Sequence, residues 1–170
     1  MSELESATGR FEIIFNPENS KYAICDYAHT PDALKNILNT LQKTKEKGQK
    51  IITVFGAGGD RDKTKRPEMG KIAAQLSNLV IITSDNPRSE DPESIIRDIK
   101  SGIEEEKLEN VIEITDRRQA IKTALKISSK NDIILIAGKG HEDYQEIKGK
   151  KLPFSDKEEI KKIWFNHIKK

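Results

Sequence analysis

The chain has one cysteine among its 170 residues, so an intramolecular disulfide is excluded. Cys25 lies inside the apolar run 22–27 and has no activating neighbour, which favours a small buried thiol over a nucleophile. The three histidines, His29, His141 and His167, are scattered, and with a single cysteine they make no zinc signature. No apolar stretch approaches the roughly 20 residues that a membrane span needs, and residues 1–9 lack the apolar core of a secretory signal. A cytoplasmic location is therefore expected. Neither sign of charge is in excess: 30 Lys and Arg against 28 Asp and Glu leave +2, scattered rather than gathered into a block. That pattern gives no support to a nucleic-acid partner.

The sequence is instead dense in charge of both signs and regular in its apolar runs. Apolar residues make up 35% and charged residues 34%, which predicts a heavily charged surface around a genuine core. The length predicts one domain over residues 1–170, with residues 1–8 as a disordered leader.

Residues 11–15 and 21–27 read as two strands joined through Asn16-Pro17-Glu18-Asn19, a link short enough for a hairpin. From Asp32 the spacing turns helical, with Leu34, Ile37, Leu38 and Leu41 on one face until Gly48. The runs 51–55, 79–83, 111–114 and 133–137 are short, continuous and rich in Ile and Val, as expected for strands covered on both faces. Helical stretches lie between them at 67–76, 92–103 and 117–128, and a last helix is expected over 156–168. Pro67 and Pro92 suit a first helical turn, and Asp116 suits an N-cap. Trp164 and Phe165 sit among Ile160, Ile163 and Ile168 and read as packing residues. The alternation predicts an α/β, Rossmann-like, mostly parallel sheet with helices on both faces and an antiparallel N-terminal edge.

In such sheets ligands sit outside the carboxyl ends of the strands. The unusual residues fall there. Asp26-Tyr27-Ala28-His29-Thr30-Pro31-Asp32, Gly56-Ala57-Gly58-Gly59-Asp60-Arg61-Asp62-Lys63, Ser84-Asp85-Asn86-Pro87-Arg88 and Gly138-Lys139-Gly140-His141-Glu142 each follow a predicted strand. Four polar loops should converge on one edge. The glycine loop is no dinucleotide fingerprint, because Arg61 stands where a glycine is needed, and it holds no Walker A sequence. Taken alone, it reads equally as an anion site or as a tight turn with a solvated arginine. Arg88 behind a stiffening Pro87 could grip a carboxylate through two parallel hydrogen bonds, or could be an exposed charge leading a helix. The last loop carries a cation, an imidazole and a carboxylate between glycines, enough for a zwitterion such as an amino acid, with Glu142 accepting an ammonium. A glycine hinge with solvated charges is its plainer reading.

Together with Gly9-Arg10-Phe11-Glu12, these motifs resemble in content and order the third domain of the MurE-type Mur ligases, and the likeness covers nearly the whole chain. The resemblance implies an ATP-dependent, ADP-forming ligase. It joins the γ-carboxyl of D-glutamate in UDP-MurNAc-L-Ala-D-Glu to a diamino acid through an acyl phosphate. It also implies that Arg10 lies near the ATP phosphates and Asp26 near the ribose. Arg61, Asn86, Arg88, Gly138 and Glu142 match the positions that hold the amino acid. The Asp85-Asn86-Pro87-Arg88 form resembles the meso-diaminopimelate recognition motif.

The resemblance also sets limits. The UDP-binding first domain and the central ATPase domain, with its phosphate loop and magnesium ligands, are absent. The sequence is thus expected to be a domain excised from a longer ligase, inactive alone, a monomer, with no catalytic residue or metal ligand of its own. ATP and Mg would be bound mainly by the missing central domain. Other readings are a folylpolyglutamate synthetase domain, disfavoured by the 85–88 run, and a stand-alone amino-acid-binding or regulatory module. A nicotinamide enzyme is disfavoured by the failed glycine fingerprint.

Overall fold

The computed structural model describes residues 10–166, so the expected leader and His167 and Ile168 lie outside the described residues. Six strands form one sheet: β1 (Glu12–Asn16), β2 (Lys21–Asp26), β3 (Ile51–Phe55), β4 (Leu79–Ile82), β5 (Val111–Glu113) and β6 (Ile133–Ala137), in the order β1-β2-β6-β3-β4-β5. β1 pairs antiparallel with β2, and every other pairing in this sheet is parallel. Five α-helices accompany them among the described residues: α1 (Pro31–Thr44), α2 (Lys65–Leu76), α3 (Pro92–Lys100), α4 (Arg117–Ile127) and α5 (Asp156–Phe165).

The central strands explain the layering. All five residues of β6 are buried, and because successive side chains point to opposite faces, they divide between two cores. Ile133, Leu135 and Ala137 pack with Leu34, Leu38, Ala73 and Ile99 of α1, α2 and α3. Ile134 and Ile136 pack with Ala120, Ile121, Ile160 and Trp164 of α4 and α5. Full burial of such a side chain contributes about 1.5–3 kcal/mol, so neither face could be bared without loss of the sheet.

Local signals set the helix ends. Thr30 caps α1 by accepting from Ala33 N, and Pro31 occupies its first turn. Asp91 caps α3 by accepting from Glu93 N, and Asp116 caps α4 by accepting from Arg118 N and Gln119 N. α1 stops at Thr44 rather than running to Gly48, and α3 stops at Lys100 rather than Ile103. In α1 the buried apolar face ends at Leu41; α3 instead passes into a turn, where Gly102 N donates to Ile99 O and Ile103 N to Lys100 O, and Ile103 still reaches the core.

A hairpin of β7 (Tyr144–Ile147) and β8 (Lys150–Pro153) was not expected. Lys148 and Gly149 turn it with φ of 49° and 78°, the two positive values that a tight hairpin of this hand requires. All of β8 is exposed, so no apolar alternation marks it. The hairpin docks on the loop after β4: Arg88 N donates to Glu146 O at 3.0 Å, and Lys148 N donates to Arg88 O at 2.9 Å.

Candidate functional site

The parallel register aligns the strand ends that carry the polar loops. Asp26 stands opposite Ala137, and Phe55 opposite Ile82. The loops beyond them enclose a cleft of about 450 Å³ lined by Arg61, Asp85, Asn86, Arg88, Gly138 and Glu142, with Tyr27 and Arg66 among its other walls. Pro87 does not line this cleft. It is buried behind it, where a Cβ on Gly59 would collide with the Pro87 carbonyl, so glycine is needed for the two loops to meet.

Those two loops are stitched together. Gly59 N donates to Asn86 O at 2.7 Å, and Arg88 Nη1 donates to Gly59 O at 3.0 Å. A Cβ on Gly58 would lie 3.0 Å from Arg88 Nη1 and 3.5 Å from Arg61 Cγ, so the two arginines flank the same glycine. Asp60 N donates to Glu90 Oε2 at 2.6 Å, and Ser89 donates to both Asp60 carboxylate oxygens. Beneath them the buried Arg66 guanidinium donates to Gly58 O, Glu90 and Asp98. Arg61 itself is exposed; its Nη1 donates to Asp60 O at 3.1 Å, and its guanidinium can turn toward a ligand.

Arg88 is no solvated leading charge. Its side chain is 19% exposed, its Nε lies 3.4 Å from Glu146 Oε2, and its backbone sits at φ 52°, held there by pairing with the hairpin. Asn86 and Glu142 meet across the cleft, Nδ2 donating to Oε1 at 3.3 Å, and Tyr27 OH donates to Glu142 Oε2 at 3.5 Å. Gly138 adopts φ 116°, and a Cβ there would come within 3.3 Å of Asp85 Oδ2. The arrangement offers donors and positive charge on one side and a carboxylate on the other, the pattern a zwitterion requires.

Arg10 and Asp26 fall in an adjacent, more apolar cleft of about 480 Å³, with Phe11, Ala33 and Ile37; Tyr27, His29 and Thr30 are shared by both clefts. Asp26 accepts from Phe11 N and Ala28 N, one bond to each oxygen at 2.8 Å. It therefore anchors the start of β1 as well as facing the cleft. Each oxygen keeps a second lone pair, so the carboxylate still fits a hydroxyl donor such as a ribose. No group of three or more His, Cys, Asp or Glu side chains among the described residues could hold a metal ion.

Residues 9–140 match the family described as Mur ligase, glutamate ligase domain. The chain belongs to that family. This Mur ligase domain is 54% identical over 164 residues to the UDP-N-acetylmuramoyl-L-alanyl-D-glutamate--2,6-diaminopimelate ligase of Parabacteroides distasonis, covering 96% of the chain and 34% of the relative. It is 55% identical over 155 residues to the ligase of the same name from Aquifex aeolicus, covering 91% of the chain and 31% of that relative. The chain thus spans about a third of the length of the curated relatives it matches. A solved structure of a ligase of that name superposes over 95% of the chain and 32% of its own length, with a TM-score of 0.85 and 44% identity. Folylpolyglutamate synthase from Thermotoga maritima follows the fold less closely, with a TM-score of 0.56 and 25% identity over 78% of the chain and 28% of its own length.

Several residues of the site were not assigned from sequence. Lys139, wholly buried, joins Asn86, Glu142 and Tyr144; Arg66 and Glu90 brace the glycine loop; Glu146 meets Arg88 from the unexpected hairpin. Lys139 stood in a noted motif, yet nothing local distinguishes a buried lysine from a solvated one between glycines. Glu90 and Glu146 depend on partners distant in the chain, Glu90 on Arg66 24 residues away and Glu146 on the loop of Asn86 and Arg88, 60 residues from Asn86.

Proposed function

We propose that this chain is the amino-acid-binding and ATP-closing domain of an ATP-dependent ligase that adds meso-diaminopimelate to UDP-MurNAc-L-Ala-D-Glu. The observation that carries the reading is the convergence of Arg61, Asn86, Arg88 and Glu142 on one cleft beside that of Arg10 and Asp26. In this reading Arg88, Arg61 and Asn86 Nδ2 receive carboxylates, Glu142 receives an ammonium, Asp85 and Gly138 shape the walls, and Pro87 backs the glycine loop at Gly59. Diaminopimelate differs from lysine by one distal carboxylate. A site built around a polar group can reject analogues lacking it by up to about 10⁴–10⁵, a ceiling here because Arg88 is partly hydrated.

Arg10 and Asp26 would face ATP as this domain closes over a central one, excluding water from a hydrolysable acyl phosphate. Magnesium belongs to that central domain and would neutralise charge on the ATP phosphates. The same reading includes a cytoplasmic location and a monomer. Among the described residues no helix is long and apolar enough to cross a membrane.

Calorimetric titration of the chain and of Arg88→Ala tests this reading. The variant should lose affinity for meso-diaminopimelate and keep that for ATP; equal loss of both would remove Arg88 from substrate recognition.

A further inference from the structure

We propose that Lys139 is a positioning residue that fixes the polarity of the Asn86 amide, so that Asn86 meets a ligand only as a donor. The identity of the ligand rests on the function proposed above; the geometry stands without it.

Lys139 is 0% exposed although its partners Asn86 and Glu142 line an open cleft. Its Nζ donates to Asn86 Oδ1 at 2.7 Å, to Tyr144 O at 2.9 Å and to Glu142 Oε1 at 3.4 Å. An ammonium has three protons, and these three acceptors use them all. The fourth nearby oxygen, Asp85 Oδ1, lies 3.2 Å away and makes no hydrogen bond; it contributes charge alone.

Asn86 Oδ1 also accepts from Glu146 N at 2.9 Å. A lysine ammonium and a backbone amide can only donate, so the Asn86 atom between them must be the oxygen. The amide nitrogen is thereby turned the other way, where it meets Glu142 Oε1 at 3.3 Å. At this point of the cleft a carboxylate finds a donor, and an ammonium finds none. The ammonium is directed to Glu142 instead, whose two oxygens are held in place by Asn86, Lys139 and Tyr27. Lys139 thus assigns opposite polarities to two neighbouring side chains without reaching the ligand.

The first test needs no ligand. In the wild-type chain, nuclear Overhauser contacts from the Asn86 side-chain amide protons should run to Glu142 Hγ; contacts to Lys139 Hε in their place overturn the proposal. The second test is Lys139→Met, which keeps the length and removes the charge. It should weaken those contacts rather than reverse them, because Glu146 N still donates to Asn86 Oδ1 at 2.9 Å, and weaken meso-diaminopimelate binding on the order of tenfold or more, the usual scale for a charged hydrogen-bond partner. Contacts of wild-type strength in a folded Lys139→Met chain, with unchanged diaminopimelate binding, overturn it as well. If wild type shows the predicted contacts but binds no diaminopimelate, the orientation stands and the proposed function fails.

Discussion

Arg117 grips Asp156 at two points, Nε to Oδ1 and Nη2 to Oδ2, each at 2.8 Å, with both side chains wholly buried. Burial alone would weaken the guanidinium's hold on its proton; the charge and hydrogen bonds of Asp156 outweigh it and raise the pKa above the ordinary arginine value. The other arginine donors reach Ser84 O at 3.0 Å and Ala137 O at 3.2 Å, the carbonyls immediately before Asp85 and Gly138. The pair ties the bases of two site loops to α4 and α5.

Asp156→Ala is expected to destabilise the chain by about 3–5 kcal/mol, because it strands a buried charge. Replacing both partners by Met and Leu should cost much less. Urea unfolding midpoints of the single and double variants check this, and an equal loss in both would contradict it.

Glu90 sets the acid limit of the glycine loop. Hydrogen bonds from Arg66 lower its pKa from 4.5 to about 2, against burial, which acts to raise it, and with help from Asp60 N. A carboxylate held below its unfolded value contributes stability that is fully present above about pH 4.5 and lost as pH falls toward 2. Urea midpoints measured down this range should fall more steeply for wild type than for Glu90→Gln.

Tyr27 reports the charge on Glu142. Burial first, then the Glu142 and Asp85 carboxylates, push its phenol above the ordinary tyrosine range. Glu142→Gln removes one of those charges, so Tyr27 should ionise at lower pH than in wild type. Ultraviolet titration of phenolate, with Tyr27→Phe to assign the signal, measures the shift; an unchanged or higher value would contradict it.

Much of this fold was legible because its strands are locally distinctive. The runs at 51–55 and 133–137 are β3 and β6 to the residue, since buried parallel strands need apolar side chains on both faces. The loops after them were legible because polar and glycine residues interrupt those runs abruptly. The β7–β8 hairpin was not, because β8 buries nothing and is held by its turn and its pairing with β7, which docks on Arg88. Lys139 was visible as a cation but not as a buried one, since its partners Asn86 and Asp85 come from another loop. Arg10 and Asp26 share a cleft, yet the two backbone bonds that Asp26 accepts could not be read from a motif.

The proposed function rests above all on recognition of the distal carboxylate of meso-diaminopimelate in this cleft. Backbone NMR titration of the chain with meso-diaminopimelate, lysine and ATP in separate samples tests it most directly. Shifts are expected at Arg61, Arg88 and Glu142 with diaminopimelate and not with lysine, while ATP should move Arg10 and Asp26. Equal shifts from lysine at the first three residues would contradict the specificity, and silence from both amino acids would contradict the site.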